Sequence, residues 1–361
     1  MTKNPRVVIG GVDTHKDTLA ACVLDAGTGT VIGVGEFTAN PAGYRQVLTW
    51  MLGLGAVEKV GVEGTSSYGA GLSRHLSSAG VEVVEVDRPD RKTRRHQGKS
   101  DPIDAEAAAR AVLAGRATGA PKDNDGDIES IRILRIARTS AIKARTQAAN
   151  QIHALVVTAP EPLRAHLRDL SLTRLVNTAA TWRPGPTPTD TMTTTKIAVQ
   201  TLARRHLALT REIKELDQML AGLVQATNPA LLQAKGVGTD VAGQLLATAG
   251  DNPGRLRSES SFAHLCGVAP LPASSGRTTG RHRLNRGGDR QANRALYIIA
   301  LSRMRHDPRT RGYVQRRTTQ GLNKKEIIRC LKRAIAREIY HLLTAPTAVA
   351  APTTNSPQPA A

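Results

Sequence analysis

The order of short apolar runs and amphipathic stretches over roughly the first 120 residues restricts the fold more than any other feature of the chain. The apolar runs predict five strands, at 7–12, 18–24, 30–36, 59–63 and 81–86. The stretches between and after them predict three helices, at 40–54, 69–79 and 100–113. Asn40 followed by Pro41 is typical of a helix start, and the glycine-containing segment 25–29 is typical of a hairpin turn. Three strands followed by helix, strand, helix, strand and helix is the order of a ribonuclease-H-like mixed α/β domain.

The middle of the chain is predicted to be helical. Two long helical tracts cover 128–157 and 196–223, and the second repeats apolar residues at the 3-4 spacing of a heptad, with His206 as the only polar residue in the seam. This spacing indicates a coiled coil or a pair of packed helices. The proline-rich stretch 183–189 between the tracts predicts a linker or a mobile loop.

The last third is predicted to be mainly α-helical. The turn 235–239 contains two glycines and precedes an apolar helix, which resembles a helix-hairpin-helix whose backbone N–H groups can approach a phosphate. The final residues are rich in Pro, Thr and Ala and are expected to be disordered. We therefore predict four parts, an α/β domain at 1–122, a helical connector at 123–225, a C-terminal domain at 226–344 and a tail at 345–361.

Composition narrows the class of protein. Fifty Lys and Arg against 30 Asp and Glu give a net charge of +20, which favours a polyanionic partner such as nucleic acid. Aromatic residues make up only 2% of the chain, which argues against a protein that reads single-stranded bases by stacking. The chain lacks an apolar run long enough to span a membrane and lacks a secretory signal pattern. Three distant cysteines, Cys22, Cys266 and Cys330, indicate buried thiols in a reducing cytoplasm rather than a zinc site or disulfides.

Four acidic residues are placed where a metal site could form. Asp13 ends the first predicted strand, and Glu63 ends the fourth, which lies beside the first in a ribonuclease-H-like sheet. Asp101 and Asp104 are three residues apart at the start of the last helix of the domain and share a face. Each acid has a local explanation, such as a favourable position near a helix N-terminus, but the combination predicts a site for Mg²⁺ or Mn²⁺ that acts on phosphodiesters. The neighbouring His15 and Lys16 are compatible with a phosphate contact or with a solvated loop.

A second group of residues lies in the C-terminal third. Ser275, preceded by Ser274, stands in a Gly/Pro loop where a serine could attack a phosphate, although serine-glycine pairs are common in simple turns. Arginines surround the loop and are candidates for nucleic-acid contacts or for stabilising charge on a transferring phosphoryl group. They are Arg277, Arg281, Arg283, Arg286, Arg290 and Arg294.

Together the two groups resemble the DEDD-type insertion-sequence transposases, the family known for recombination guided by a bridge RNA. The motifs that carry the resemblance occur in the same order along about 6–340. They are Gly-Gly-Val-Asp-Thr-His-Lys-Asp at 10–17, Val-Glu-Gly-Thr at 62–65, Lys-Ser-Asp-Pro-Ile-Asp-Ala at 99–105, Gly-Val-Gly at 236–238, the segment 262–270, Ser-Gly at 275–276, Arg-Gly-Gly at 286–288 and Arg-Ala-Leu at 294–296. The proline-rich stretch 183–189 and the tail depart from the family pattern.

The resemblance implies a RuvC-like domain, a coiled-coil connector and a transposase domain with a catalytic serine. It implies that Asp13, Glu63, Asp101 and Asp104 bind the metal and that Ser275 is the nucleophile, with Ser274 as the alternative one position away. It also implies DNA as donor and target, a structured guide RNA, and a homodimer or homotetramer in which the metal site of one subunit works with the serine of another. Such a protein would act in the bacterial cytoplasm, at the nucleoid when bound.

Two other functions fit parts of the pattern. A RuvC-like junction endonuclease would use the four acids and metal-bound water without a serine. A basic nucleic-acid-binding protein without enzymatic activity would use only the arginines and would tolerate loss of Asp13 or Glu63.

Overall fold

A computed structural model of the chain describes residues 6–86, 100–185, 187–272, 282–285 and 287–345. The chain forms two compact units. The first comprises the residues up to Gly126 together with 250–255, and the second comprises 127–249 and the residues from Leu256 onwards. Each unit buries its own apolar clusters.

A five-stranded mixed sheet forms the centre of the first unit. Its strands are β1 (Val7–Thr14), β2 (Thr18–Asp25), β3 (Val31–Thr38), β4 (Ala56–Glu63) and β5 (Glu82–Val86). They lie in the order β3-β2-β1-β4-β5, with β2 antiparallel to β1 and β3, and with β4 parallel to β1 and β5. The prediction that the fourth strand lies beside the first is confirmed, and the sheet is consistent with a ribonuclease-H-like domain.

Helices cover both faces of this sheet. They are α1 (Pro41–Leu54), α2 (Ala70–Ser78) and α3 (Asp101–Leu113). Side chains of α1 and α2 form one apolar cluster with the sheet, and side chains of α3 form another. The predicted start of α1 is confirmed, because the Asn40 side chain accepts hydrogen bonds from the backbone N–H groups of Ala42 and Gly43.

The helix α3 packs unusually close to the sheet because two glycines face it. Gly11 of β1 and Gly61 of β4 are paired across the strands. A Cβ on Gly11 would overlap the backbone of Ala105 and Ala109, and a Cβ on Gly61 would lie 3.0 Å from the carbonyl oxygen of Ala108. The small residues on both surfaces therefore let α3 settle against the central strands, and this fixes where the N-terminus of α3 lies.

Helices make up most of the second unit. In chain order the first four are α4 (Gly126–Val157, which begins at the last residue of the first unit), α5 (Glu161–Leu167), α6 (Leu172–Ala180) and α7 (Thr191–Thr227). Ile131 near the start of α4 shares a cluster with Val224 near the end of α7, whereas Ile152 shares another with Val199 near the start of α7. The two long helices therefore run antiparallel and contribute to the same two apolar clusters. The coiled coil itself stays a prediction.

The proline-rich stretch 183–189 connects α6 to α7, and Asp190 caps α7 by accepting a hydrogen bond from the backbone N–H of Thr193. The short helices α5 and α6 were not predicted from the sequence. Among the described residues, none of the helices is both long enough and apolar enough to cross a membrane.

The remainder of the second unit packs around one large apolar cluster. Its elements are α8 (Pro229–Gln233), α9 (Thr239–Ala249), α10 (Glu259–Leu265), β6 (Pro270–Pro272), β7 (His282–Leu284), α11 (Arg290–His306), α12 (Pro308–Thr319) and α13 (Lys324–Thr344). The turn 235–239 joins α8 to α9, and Gly236 adopts a φ of 78° there. A helix-hairpin-helix at this point stays a prediction. Cys22 and Cys266 are buried, and burial raises the pKa of Cys22 to about 11 and that of Cys266 to about 12, as expected for inert thiols.

Candidate active site

Two of the predicted acids lie at the same edge of the sheet. Val12 of β1 is in register with Val62 of β4, so Asp13 and Glu63 follow them at the carboxyl ends of adjacent parallel strands. The hydroxyl of Thr14 donates a hydrogen bond of 2.8 Å to the backbone oxygen of Glu63, which ties the two strand ends together. The topology thus makes neighbours of two acids that are 50 positions apart in the sequence.

The N-terminus of α3 brings the other two acids towards the same edge. Asp101 is the first residue of α3, after the N-cap Ser100, and Asp104 follows in the first turn with only 5% of its surface exposed. The imidazole of His15 lies between the elements, since its Nε2 is 3.2 Å from Oδ2 of Asp13 and 3.1 Å from Oδ1 of Asp101. Ligand atoms of Asp13, His15 and Asp101 all lie within 4.8 Å of one another.

The electrostatics of this cluster favour a bound cation. Burial raises the pKa of Asp13, and the nearby carboxylates of Asp104 and Asp101 raise it further, while His15 and the backbone N–H of Thr14 act in the opposite direction. Within the described part of the chain, Nε2 of His15 is buried and lacks a partner with hydrogen-bond geometry. Crowded carboxylates and an unsatisfied nitrogen fit a divalent metal ion, which would neutralise the former and accept the latter as a ligand.

The three-residue group differs from the predicted set of four acids. Among the described residues it contains Asp13 and Asp101, but neither Glu63 nor Asp104. Asp104 acts on Asp13 electrostatically, and Glu63 ends the adjacent strand. The sequence indicates that His15 lies beside the site but does not predict it as a member. The imidazole reaches the carboxylates because the chain turns tightly after β1, where the backbone N–H of His15 donates a hydrogen bond of 2.9 Å to the carbonyl oxygen of Thr18.

A hydrogen-bonded network supports the loop that follows Glu63. The hydroxyl of the fully buried Thr65 donates to Oε1 of Glu85 at 3.0 Å. Arg255, in the segment 250–255 that belongs to the first unit, donates to Oε2 of Glu85 at 3.2 Å and to the carbonyl oxygen of Ala120 at 3.1 Å. The side chain of Asn124 donates to the backbone oxygen of Thr65 at 3.2 Å. A residue from far along the sequence therefore helps to hold the loop next to the acidic cluster.

The second group of predicted residues is only partly described by the structure. Five of its members lie outside the described residues, namely Ser274, Ser275, Arg277, Arg281 and Arg286. Arg283 lies in β7, which pairs with β6, and Arg290 and Arg294 lie one turn apart in α11. All three of these side chains are exposed, as contacts with nucleic acid require.

Arg294 lines a groove of about 790 Å³ between α4, α9 and α11. Lys143, Gln147 and Asn150 of α4 form one wall, and Gln291 stands beside Arg294 on the other. Two further arginines in the groove are paired with acids, since Arg135 contacts Asp240 at 2.5 Å and Arg138 contacts Asp217 at 2.5 Å. The groove therefore offers two cations that form no ion pair with any described residue, together with several amide groups, a set of donors suited to phosphates and bases.

Part of the glycine-rich motif near the second group has a packing role. Gly288 adopts a φ of 95°, and a Cβ there would lie 2.6 Å from the carbonyl oxygens of His264 and Leu265 at the end of α10. The next residue, Asp289, caps α11 through the N–H groups of Gln291 and Ala292. This motif thus fixes how α11 starts, and with it the positions of Arg290 and Arg294.

Two models of known protein families match the chain, and both describe transposases. The DEDD transposase model of the IS110 type matches residues 10–159, which include all four predicted acids. The model for transposases of the IS116/IS110/IS902 family matches residues 228–315, which include the predicted serine and arginines.

Two curated proteins are similar over about two fifths of the chain. A 42 kDa protein of insertion element IS900 from Mycobacterium paratuberculosis is 31% identical over 147 residues, which cover 40% of this chain and 37% of that protein. A 43.6 kDa protein of insertion element IS110 from Streptomyces coelicolor is 30% identical over 152 residues, covering 42% of this chain and 37% of that protein. The chain thus matches well under half the length of either relative.

Proposed function

Because the chain belongs to the IS110 family of DEDD-type transposases, we propose that it cuts DNA strands and rejoins them to new partners. The observation that carries this proposal is the convergence of Asp13, His15 and Asp101 at the carboxyl end of β1, with Asp104 close enough to affect Asp13. Buried acids from different elements are costly for a fold, and metal-dependent phosphodiester chemistry gives them a use.

The four acids are the proposed metal ligands, with His15 beside them. Asp13 and Asp101 already converge on His15, and the hydrogen bond from Thr14 holds the end of β4, which carries Glu63, next to the end of β1. Bound Mg²⁺ or Mn²⁺ would supply positive charge to the phosphate under attack. The residues around the acids keep the carboxylates oriented, and the tight packing of α3 on Gly11 sets the position of Asp101 and Asp104.

Ser275 is the proposed nucleophile. Its hydroxyl oxygen forms a bond to phosphorus, the bond from phosphorus to the bridging oxygen of the leaving strand breaks, and the hydroxyl proton goes to a base or to solvent. The product is a phosphoserine link to one DNA strand and a free hydroxyl on the other, so the link can be resolved by a hydroxyl from a new strand. The match of the IS116/IS110/IS902 transposase model to 228–315 supports this assignment.

Nucleic acid is the proposed partner of the basic residues. Arg283, Arg290 and Arg294 are exposed, and Arg294 shares its groove with Lys143, so these side chains can reach phosphates. We also propose a structured guide RNA as a second nucleic-acid partner, which the net charge of +20 would help to hold. RNA that copurifies with the protein and pairs with its DNA sites would support the guide.

Incubating the protein with labelled DNA from the ends of the element, followed by a denaturing gel, tests the proposed reaction. We expect a covalent protein–DNA adduct that requires divalent metal and disappears in Ser275→Ala. Adducts that persist in Ser275→Ala but vanish in Ser274→Ala would move the nucleophile by one position. Metal-dependent cleavage without any adduct would instead favour a RuvC-like junction endonuclease.

The proposed homodimer or homotetramer has its own test in the same gel. Asp13→Asn and Ser275→Ala are each expected to be inactive. If subunits share active sites, a mixture of the two variants regains activity, because a normal metal site can then meet a normal serine. A mixture that stays inactive would contradict sharing between subunits.

A further inference from the structure

A pocket of about 540 Å³ in the second unit is lined by more basic than acidic side chains. Its cationic lining comes from Arg283 of β7 and from Arg329, Arg333 and Arg337 of α13. The three residues of α13 are spaced four apart, so they lie on one face of that helix. Apolar side chains, among them Val268 and Ala334, line the rest of the pocket.

Acidic residues neutralise only part of this charge. Arg333 contacts Glu259 at 2.5 Å and Arg337 contacts it at 2.8 Å, so one carboxylate holds two guanidinium groups. Glu326 also lines the pocket, but its carboxylate accepts a hydrogen bond of 2.9 Å from the backbone N–H of Asn323 in the cap of α13. Within the part of the chain that the structure describes, neither Arg283 nor Arg329 forms an ion pair.

One donor in the pocket is buried and unsatisfied. Nη1 of Arg333 has almost no exposed surface and, among the described residues, no hydrogen-bond partner, although Nη2 of the same group contacts Glu259. A guanidinium that is held in place by one carboxylate and keeps a second N–H group free is prepared to accept an anion. Planar guanidinium groups bind phosphate through paired N–H donors, which makes a phosphodiester the best match for this site.

The position of the pocket indicates which phosphodiester it binds. Pro270 of β6 and His282 of β7 also line it, and the segment that joins these two strands in the sequence carries Ser275. We propose that this arginine pocket binds the phosphate backbone of DNA, with Arg283, Arg329 and the partly exposed guanidinium of Arg333 as the contacts. The proposal rests on the proposed function, because a serine that attacks DNA needs the neighbouring phosphates of the strand held in place.

Binding of a short labelled DNA duplex to the whole chain, followed by fluorescence anisotropy at several salt concentrations, tests the pocket. The buffer contains EDTA, so that no strand is cut. The test variant carries Arg283→Gln and Arg329→Gln, neither of which removes a partner from Glu259. The matched control carries Arg174→Gln and Arg211→Gln, the same charge change at exposed positions of α6 and α7. Arg329→Lys keeps the charge and removes the planar group.

We expect the test variant to bind DNA about tenfold or more weakly than the control. The slope of log K against log salt should fall by ~1.8, since each lost phosphate contact removes ~0.9. Arg329→Lys should keep the slope and lose part of the affinity. A loss of stability alone would leave the slope unchanged in the folded fraction, which thermal unfolding of each variant checks.

Two results would contradict the proposal that the pocket binds DNA. One is a test variant whose affinity and slope equal those of the control. The other is a selective loss of binding to a single-stranded RNA of the same length, which would assign the pocket to RNA. The proposed function fails in a different way, because a protein that binds DNA through the pocket but forms no adduct in the presence of metal would refute the reaction and leave the pocket in place.

Discussion

Replacing Gly11 by alanine tests whether close packing of α3 positions the acidic cluster. An added Cβ would overlap the backbone oxygen of Ala105 and the backbone nitrogen of Ala109, and it would lie 2.8 Å from Cβ of Ala109. Backbone atoms cannot rotate away as a side chain can, so α3 has to move outward. Overpacking of this kind costs ~1–3 kcal/mol. Since Asp101 lies one turn before Ala105, the 3.1 Å contact between Asp101 and His15 should be lost as well.

Thermal unfolding followed by tryptophan fluorescence measures the effect in the first unit. The chain has two tryptophans, Trp50 in the first unit and Trp182 in the second, so a Trp182→Phe background makes Trp50 the reporter. We expect Tm to fall by roughly 3–12 °C in Gly11→Ala, which corresponds to the overpacking cost in a unit of this size.

Gly53 provides the matched control. It is an exposed residue near the end of α1, and a Cβ there would meet no atom within 4 Å. Gly53→Ala should leave Tm unchanged or raise it, because alanine is the better helix former by ~0.5–1 kcal/mol. If Gly11→Ala unfolds at the same temperature as Gly53→Ala, the close approach of α3 to the sheet is wrong.

Three further changes have outcomes that follow from individual contacts. Arg255→Ala should destabilise the first unit by ~2–4 kcal/mol, because Glu85 stays partly buried without its charged donor, and adding Glu85→Gln should restore part of the loss in the same fluorescence assay. Burial and a nearby arginine lower the pKa of His206 below its ordinary value of 6.5. The neutral imidazole therefore stabilises α7 at pH values above 6.5, and this stabilisation is lost as the pH falls below that value. In His206→Leu, the unfolding temperature that Trp182 reports should lose that pH dependence. If the unfolding temperatures of wild type and His206→Leu vary with pH in the same way, the packing of His206 in the heptad seam is wrong. The hydroxyl of Thr310, followed by Lys235, holds the pKa of Asp307 at about 2, so Asp307→Asn should destabilise the second unit at neutral pH, and the difference from wild type should vanish as pH falls from about 4 to about 2.

Local signals in the sequence predict most of the first unit. Asn40 and Pro41 start α1 as expected, and the hairpin at 25–29 ends with Gly29 at a φ of 70°. These elements are predictable because the responsible interactions connect residues two to four positions apart. The order of the strands then places Asp13 beside Glu63 with no further information.

Long-range contacts account for what the sequence does not reveal. His15 meets Asp101 because α3 packs on Gly11 and brings Asp101 to the end of β1. Arg255 lies in the segment 250–255, which joins the first unit although the chain before and after it belongs to the second, and neither composition nor spacing marks Arg255 for that role. The helices α5 and α6 are too short to show a clear helical periodicity in the sequence. The sequence therefore does not predict them between the two long helices.

Binding of Mn²⁺ to the whole chain, followed by electron paramagnetic resonance, tests the proposed metal centre most directly. Wild-type protein and Asp169→Asn, a charge-matched change at an exposed position, should take up Mn²⁺ with the same affinity. Asp13→Asn should lose the tightest site, and it should also unfold at a higher temperature than wild type without metal, because burial makes the charged form of Asp13 unfavourable. An Asp13→Asn protein that binds Mn²⁺ as wild type does would contradict the metal centre.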